Sequence, residues 1–306
     1  MDVRSQKSDL YRQAGRAALV GVFVNLALGA AKLAAGIANQ SFALISDSVN
    51  SLGDACTSVV VFLALRVARK PPDREHPYGH TRAEAVAASN IALLVVLSAL
   101  LVGWEAIRRM DFVHVPPAAW ALWLAGANVI VKEVLFHYKA RVGKRTGSIA
   151  LVVNAWDHRG DALCALSVLA GLAAVRWGGP GLLFADEVAA LVVVSVVVTA
   201  GAVLFRRSVH ELLDVQADAP FLAEIRSAAT GVPGVLGVEK LLVRKTGLEF
   251  LADIHIEVDP ALSVAAGHEI GHRVKDELLR RFPRIRDVLV HLEPHGGSPP
   301  ARRQAT

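Results

Sequence analysis

Asn50 and Asp54 stand four residues apart in "VNSLGDACTS", residues 49–58, and Asp157 and Asp161 repeat that spacing in "AWDHRGDALC", residues 155–164. Four residues is close to one helical turn, so each pair shares a face of its helix. Two such faces brought together offer three carboxylates and one amide carbonyl, hard oxygen donors suited to a divalent cation. Both segments are long and apolar, and an ionisable side chain inside a membrane helix is costly unless it meets a cavity, a partner or an ion. The competing reading makes these residues polar contacts between helices. Three acids at matched depth favour the cation. His158 lies three residues before Asp161 and offers a nitrogen ligand in place of Asp157. Cys164 shares the face of Asp161, either to soften the site towards zinc or cadmium or simply to pack. Asp47, three residues before Asn50, either lines the outer mouth of the path or caps the second span.

The elements that must position these residues follow from composition. The chain has 306 residues, 53% hydrophobic and 20% charged, with a mean hydropathy of +0.42. That is too apolar for an ordinary soluble chain of this length. Apolar runs long enough to cross the hydrocarbon core fall at 17–38, 42–66, 83–107, 118–138, 148–176 and 182–205, which predicts six spans. No charged segment, short apolar run and cleavage site open the chain, so no removable signal peptide is expected.

Basic residues orient the spans, because Lys and Arg in short loops stay on the cytoplasmic side. Arg4, Lys7, Arg12 and Arg16, then Arg66, Arg69, Lys70, Arg74 and Arg82, then Lys139, Arg141, Lys144 and Arg145 all fall on one side. Only Arg108, Arg109 and Arg176 face them, so both termini are expected in the cytoplasm. Trp104, Trp120, Trp123 and Trp177 sit near the expected outer ends, as an interfacial aromatic belt would. The net charge of +5 is therefore a topology signal, with no nucleic-acid partner implied.

After Arg207 the pattern turns mixed, and a second domain begins. Periodicity predicts a helix over 221–230, strands over 235–245 and 248–258, an amphipathic helix over 263–282 and a strand over 287–293. The order αββαβ suggests a ferredoxin-like α+β sandwich. The expected organisation is a cytoplasmic segment over 1–16, an α-helical membrane domain of six transmembrane helices over 17–207, a cytoplasmic ferredoxin-like domain over 208–294 and a disordered tail over 295–306.

Three further clusters could bind metal. Asp73, His76 and His80 lie in "PPDREHPYGH" before the third span, where they either ligate or attract cations to the entrance. On the 248–258 strand, alternation puts Asp253, His255 and Glu257 on one face, and His291 and Glu293 share a face of the last strand. His268 and His272 are at helical spacing in "HEIGH", which fits the H-E-x-x-H pattern of zinc proteases. A protease would also need a third ligand and a cleft, and too little chain follows this helix to supply them. An intramembrane aspartyl protease using Asp54 and Asp161 would explain neither Asn50 and Asp157 nor the His-bearing domain. A membrane-anchored metal sensor would need no buried acids. The chain is therefore not expected to be an enzyme.

Taken together, "SFALISDSVNSLGDACTS", "HPYGHTRAEA", "NAWDHRGDALCALSVL", "HIEVDPALSVAAGHEIGHRV" and "VLVHLEP" resemble the cation diffusion facilitator family across residues 14–294. The resemblance implies a dimeric six-span transporter that exports a divalent metal from the cytoplasm against an incoming proton by alternating access. Zinc members place His and Asp at the four-spaced pairs, whereas the matching positions here are Asn50, Asp54, Asp157 and Asp161, as in the manganese-exporting branch. Oxygen ligands point the same way, towards Mn²⁺, with Fe²⁺ or Co²⁺ next and a Zn²⁺/H⁺ antiporter as the alternative. Three carboxylates in a low-dielectric site cannot all stay ionised without a cation, which provides a proton for exchange. Asp157 is the expected carrier, since it stands where zinc relatives have a titrating His. The family also implies metal, Zn²⁺ or Mn²⁺, bridging the dimer in the cytoplasmic domain. His255, His268, His291 and Glu293 match those ligand positions, and Glu239 stands where some zinc relatives have another His. The expected partners are metal, protons, the lipid bilayer and a second copy of the chain. A prokaryotic inner membrane is the expected location.

Overall fold

The computed structural model describes residues 3–38, 42–109, 119–178 and 185–296. The expected tail beyond residue 296 lies outside the described residues. The chain divides into a helical unit, Leu10–Leu212, and a second unit made of the residues from Leu213 onward together with those up to Asp9.

The helices are α1 (Val3–Ala38), α2 (Phe42–Ala68), α3 (Ala83–Arg109), α4 (Ala119–Thr146), α5 (Ile149–Gly178) and α6 (Ala185–Leu212). Among the described residues, Ser8–Ala38, Asp47–Ala68, Ala83–Arg108 and Ala190–Leu212 are long and apolar enough to cross a membrane. Outward-facing Phe23, Leu101, Val134 and Val192 are exposed, as a lipid solvent permits. Trp104 and Trp123 are exposed as well, while the side chains of Trp120 and Trp177 lie outside the described residues.

Within this unit α3 packs along α6 and α4 along α5, while α5 also meets α3 and α6, and α2 meets α3 and α5. The start of α5 is held from α3: Glu84 Oε1 accepts from Ser148 Oγ at 2.6 Å and from the Ala150 amide at 3.0 Å. A carboxylate there satisfies a helix N-terminus and favours its dipole.

One expectation is corrected here. The α4 helix does not stop at residue 138 but continues to Thr146, where Gly147 takes φ 80 and donates its amide to Gly143 at 2.8 Å. A helix propagates until a residue can adopt the left-handed turn that ends it. Lys139 is therefore inside a helix and 0% exposed, not a loop charge.

The second unit contains α7 (Ala219–Thr230), β1 (Gly237–Thr246), β2 (Glu249–Val258), α8 (Val264–Arg281) and β3 (Ile285–Pro294), the αββαβ order expected from periodicity. Its sheet runs β1-β2-β3, with β1 antiparallel and β3 parallel to β2. A parallel neighbour requires a crossover, and α8 supplies it. Val243, Ile254 and Ile256 from the sheet meet Ile225 of α7 and Val274 and Leu278 of α8 in a closed apolar core. Ser263 starts α8 by accepting from the Ala266 amide at 3.2 Å. Replacing it with alanine (Ser263→Ala) should lower stability by about 1 kcal/mol, measurable as a shift of the denaturation midpoint of the full chain in detergent.

Candidate metal site

The inner face of α2 carries Asp47, Ser51, Asp54 and Ser58 at alternating spacings of four, three and four, which form one stripe. Three lysines, fully or almost fully buried, dock on it in succession. Lys32 of α1 reaches Asp47 Oδ2 at 2.8 Å and donates to Ser51 Oγ at 3.0 Å. Lys132 of α4 donates to Asp54 Oδ2 and, at 2.9 Å, to Asp161 Oδ2 of α5. Two turns further along α4, Lys139 donates to Ser58 Oγ at 3.0 Å and to Asn154 Oδ1 at 2.6 Å, and meets His158 Nε2 at 2.8 Å. A buried lysine is tolerable only where its nitrogen is hydrogen-bonded; Lys32 and Lys132 also meet carboxylates, whereas Lys139 meets only Ser58, Asn154 and His158.

Lys139 approaches this closely because α1 has a glycine opposite it. A Cβ on Gly21 would lie 2.0 Å from Lys139 Nζ and 2.4 Å from its Cε.

The structure brings together Asp54 and Asp161, which grip a single cation, the Lys132 ammonium. His158 belongs to the same group: one ligand atom from each of Asp54, His158 and Asp161 lies within 4.8 Å of the others. Its Nδ1 is buried with no hydrogen-bond partner among the described residues. Asp157 instead accepts from Thr57 Oγ1 at 3.1 Å, and Thr57 in turn accepts from Asn154 Nδ2 at 3.1 Å. Those bonds pin α5 to α2 one turn beyond Asp54. Asn50 is exposed, Asp47 is half-buried against Lys32, and Cys164 is half-buried.

Sequence reasoning missed Lys32, Lys132, Lys139 and the Thr57, Ser58 and Asn154 network. The signal was present, because a lysine in the middle of an apolar span marks a functional site by default. Lys132 and Lys139, seven residues apart, also share a face of α4.

Before α3, Asp73 organises its own turn. Its Oδ1 accepts the His76 amide at 2.7 Å and the Glu75 amide at 3.1 Å. The His76 amide, more than either imidazole, holds this carboxyl below the usual carboxylate range. His76 Nδ1 lies 3.4 Å and His80 Nε2 3.3 Å from its two oxygens, so all three side chains face one solvent-open point.

In the second unit, parallel register sets His255 beside His291 and Glu257 beside Glu293. His255 Nδ1 is 3.0 Å and His291 Nε2 3.2 Å from Glu293 Oε1, and Glu239 lies 3.9 Å from His255. His295, expected in the tail, continues this row with Nδ1 2.7 Å from Glu257 Oε2. His268 is not with them: α8 covers the sheet face of Val290 and Leu292, and alternation sends His291 and Glu293 to the other face. His268 instead meets His272, Nε2 to Nε2 at 3.0 Å. No group of three ligating side chains among the described residues includes that pair.

Residues 18–213 match the family described as "Cation efflux transmembrane domain", and residues 217–295 match "Cation efflux protein, cytoplasmic domain". The chain is 29% identical over 286 residues to the manganese efflux system protein MneP of Bacillus subtilis (strain 168), covering 92% of this chain and 96% of that protein. It is 32% identical over 275 residues to a probable cation efflux system protein of Mycobacterium tuberculosis (strain ATCC 25618 / H37Rv), covering 87% and 80%. With metal tolerance protein C1 of Arabidopsis thaliana it shares 31% over 293 residues, 90% of this chain and 61% of the longer plant protein. Among solved structures, MamM-CTD is 35% identical and covers 25% of this chain and 99% of its own, with a TM-score of 0.24. The chain therefore belongs to the cation diffusion facilitator family, whose members are membrane transporters of divalent metal cations rather than enzymes.

Proposed function

We propose that this efflux transporter carries Mn²⁺, with Fe²⁺ or Co²⁺ as poorer substrates, in exchange for protons by alternating access. The observation that carries the reading is the convergence of Asp54 and Asp161, from two helices, on one buried cation. The substrate's ligands are Asp54 and Asp161, joined by Asp157 and Asn50 from the same helices. Oxygen donors suit manganese, and the similarity to a manganese efflux protein along nearly its whole length supports the choice.

Asp157 is the proton carrier in this reading. It takes a hydroxyl bond from Thr57, while the ammonium is spent on the other two carboxylates. Asp47 lines the outer mouth, and Asp73, His76 and His80 collect metal at the entrance. His255, His291, Glu293 and Glu239 hold metal in the cytoplasmic domain, which joins two copies of the chain, while His268, on the other side of the sheet, stays outside that group. In this reading the membrane domain ends with α6 at Leu212, a few residues beyond the expected 207, both termini are cytoplasmic, and the membrane is a prokaryotic inner membrane.

A zinc reading has one specific observation in its favour, namely His158 within ligand range of Asp54 and Asp161. Nitrogen ligands shift preference towards Zn²⁺.

Uptake into proteoliposomes with an imposed pH gradient separates the two. Wild type should prefer Mn²⁺ over Zn²⁺, Fe²⁺ and Co²⁺, and Asp157→His should move the Zn²⁺/Mn²⁺ ratio by about tenfold, equal to about 1.4 kcal/mol. Zinc preference in both proteins would place His158 in the site and overturn the manganese reading.

A further inference from the structure

Lys132 presents a chemical problem that transport must solve. Its side chain is 1% exposed, and its ammonium bridges Asp54 of α2 and Asp161 of α5. The other two buried lysines differ: Lys139 lies on Ser58, Asn154 and His158, and Lys32 pairs with Asp47, which is 43% exposed, and Ser51. Only Lys132 links carboxylates of two different helices at the proposed substrate position. An ammonium seated between Asp54 Oδ2 and Asp161 Oδ2 fills the space that a divalent ion bridging the two carboxylates would take, and its charge repels that ion.

We propose that Lys132 is a tethered counter-cation. It takes the transported metal's place between Asp54 and Asp161 while the carrier returns without cargo. Metal loading displaces the ammonium from both carboxylates, and metal release lets it return. The lysine stays protonated throughout, so no bond to hydrogen is made or broken. The four-carbon stem gives a compact cation the reach to leave and come back. Two carboxylates stripped of every cation in a low-dielectric bundle would carry a large electrostatic penalty. A cation that never leaves the chain removes that penalty on the cargo-free half of the cycle, and it also competes with the metal at the start of the loaded half. It is thus a positioning residue that sets both turnover and apparent affinity. This inference rests on the proposed assignment of Asp54 and Asp161 as metal ligands.

The two halves of the cycle can be measured separately. Net Mn²⁺ uptake into metal-free proteoliposomes requires the cargo-free return, whereas exchange of radioactive Mn²⁺ against Mn²⁺ inside the vesicle does not. Lys132→Gln is expected to lower net uptake by about tenfold while exchange stays within about threefold of wild type. Half-saturation of exchange should shift to about tenfold lower Mn²⁺, because the competing cation is gone. Lys132→Arg keeps the charge and grips carboxylates through two parallel bonds, so it should preserve net uptake relative to exchange and raise half-saturating Mn²⁺.

Equal loss of net uptake and exchange in Lys132→Gln would reduce Lys132 to a structural tie and overturn the proposal. Unchanged kinetics would also overturn it. If the glutamine variant does not fold, Lys132→Arg carries the test alone, and an unchanged half-saturating Mn²⁺ there overturns the proposal. Asp54→Asn run in parallel tests the ligand assignment independently: wild-type transport by that variant would remove the assignment whatever Lys132 does.

Discussion

Asp54→Asn should abolish metal transport while the protein still folds and inserts. The side chain is 6% exposed and its carboxylate faces the ammonium of Lys132, with Asp161 on the other side of that cation. The amide is nearly the same size, so packing of α2 against α4 and α5 is kept, but the negative charge is lost. Even outer partners of a metal ligand are worth about 10–100-fold in affinity, so removing an inner carboxylate should cost more than about 100-fold in uptake. The variant also leaves Lys132 with one carboxylate in place of two, which further lowers the attraction of the site for any cation. Uptake of Mn²⁺ by reconstituted protein, alongside a thermal unfolding curve in detergent, reads both parts. Transport loss with a wild-type unfolding curve supports the site; full transport shows that the substrate passes elsewhere.

The second large effect is expected far from the carboxylates, at Gly21→Ala. On propensity alone this change should help, since alanine is favoured over glycine in a helix by about 1 kcal/mol. Packing reverses the sign. The new methyl would lie 2.0 Å from Lys139 Nζ, 2.4 Å from Cε and 3.0 Å from Ser58 Oγ. A lysine tip can usually swing aside, but this one is 0% exposed and held by Ser58, Asn154 and His158. Moving it breaks three buried polar contacts and leaves the lysine nitrogen without partners, at a cost of about 3 kcal/mol. The unfolding temperature of the full chain should fall accordingly. In a Lys139→Ala background the penalty should vanish, because the group that the methyl meets is gone. A penalty that persists there would assign the effect to helix packing and not to the lysine.

Much of this protein was legible from residue order because two kinds of regularity are local. A run of apolar residues reports a span, and period-2 alternation with one helix between strands reports the αββαβ unit, so every element expected after residue 207 is present within a few residues. The four-residue spacings placed Asp54 and Asp161 on inward faces for the same reason: helical geometry repeats without reference to any other chain segment. Register between β2 and β3, which pairs His255 with His291, needed only that both strands be found and run parallel.

What residue order left open depends on which helix stands beside which. Asn50 shares its helix face in principle, yet it is exposed, and Asp157 turns to Thr57. His158, one position away, points into the group that Asp157 was expected to join. Neighbouring residues on a helix differ by about 100° in direction, so a modest rotation of α5 against α2 decides between them. His268 has the right spacing but the wrong side of the sheet, a fact fixed by the face that α8 covers. The lysines are the clearest case. By composition Lys32, Lys132 and Lys139 are three positive charges in or beside apolar runs, and one of them reads as a loop charge. Only the packing of α1 and α4 onto a single stripe of α2 makes Lys32 and Lys132 internal counter-ions and buries Lys139 against Ser58. The sequence by itself therefore determined the elements and the acids within the apolar helices, set by local period and residue type, and its motifs carried the family resemblance. The tertiary structure decided which cation those acids hold, because that choice lies in the distance between helices that no local pattern encodes.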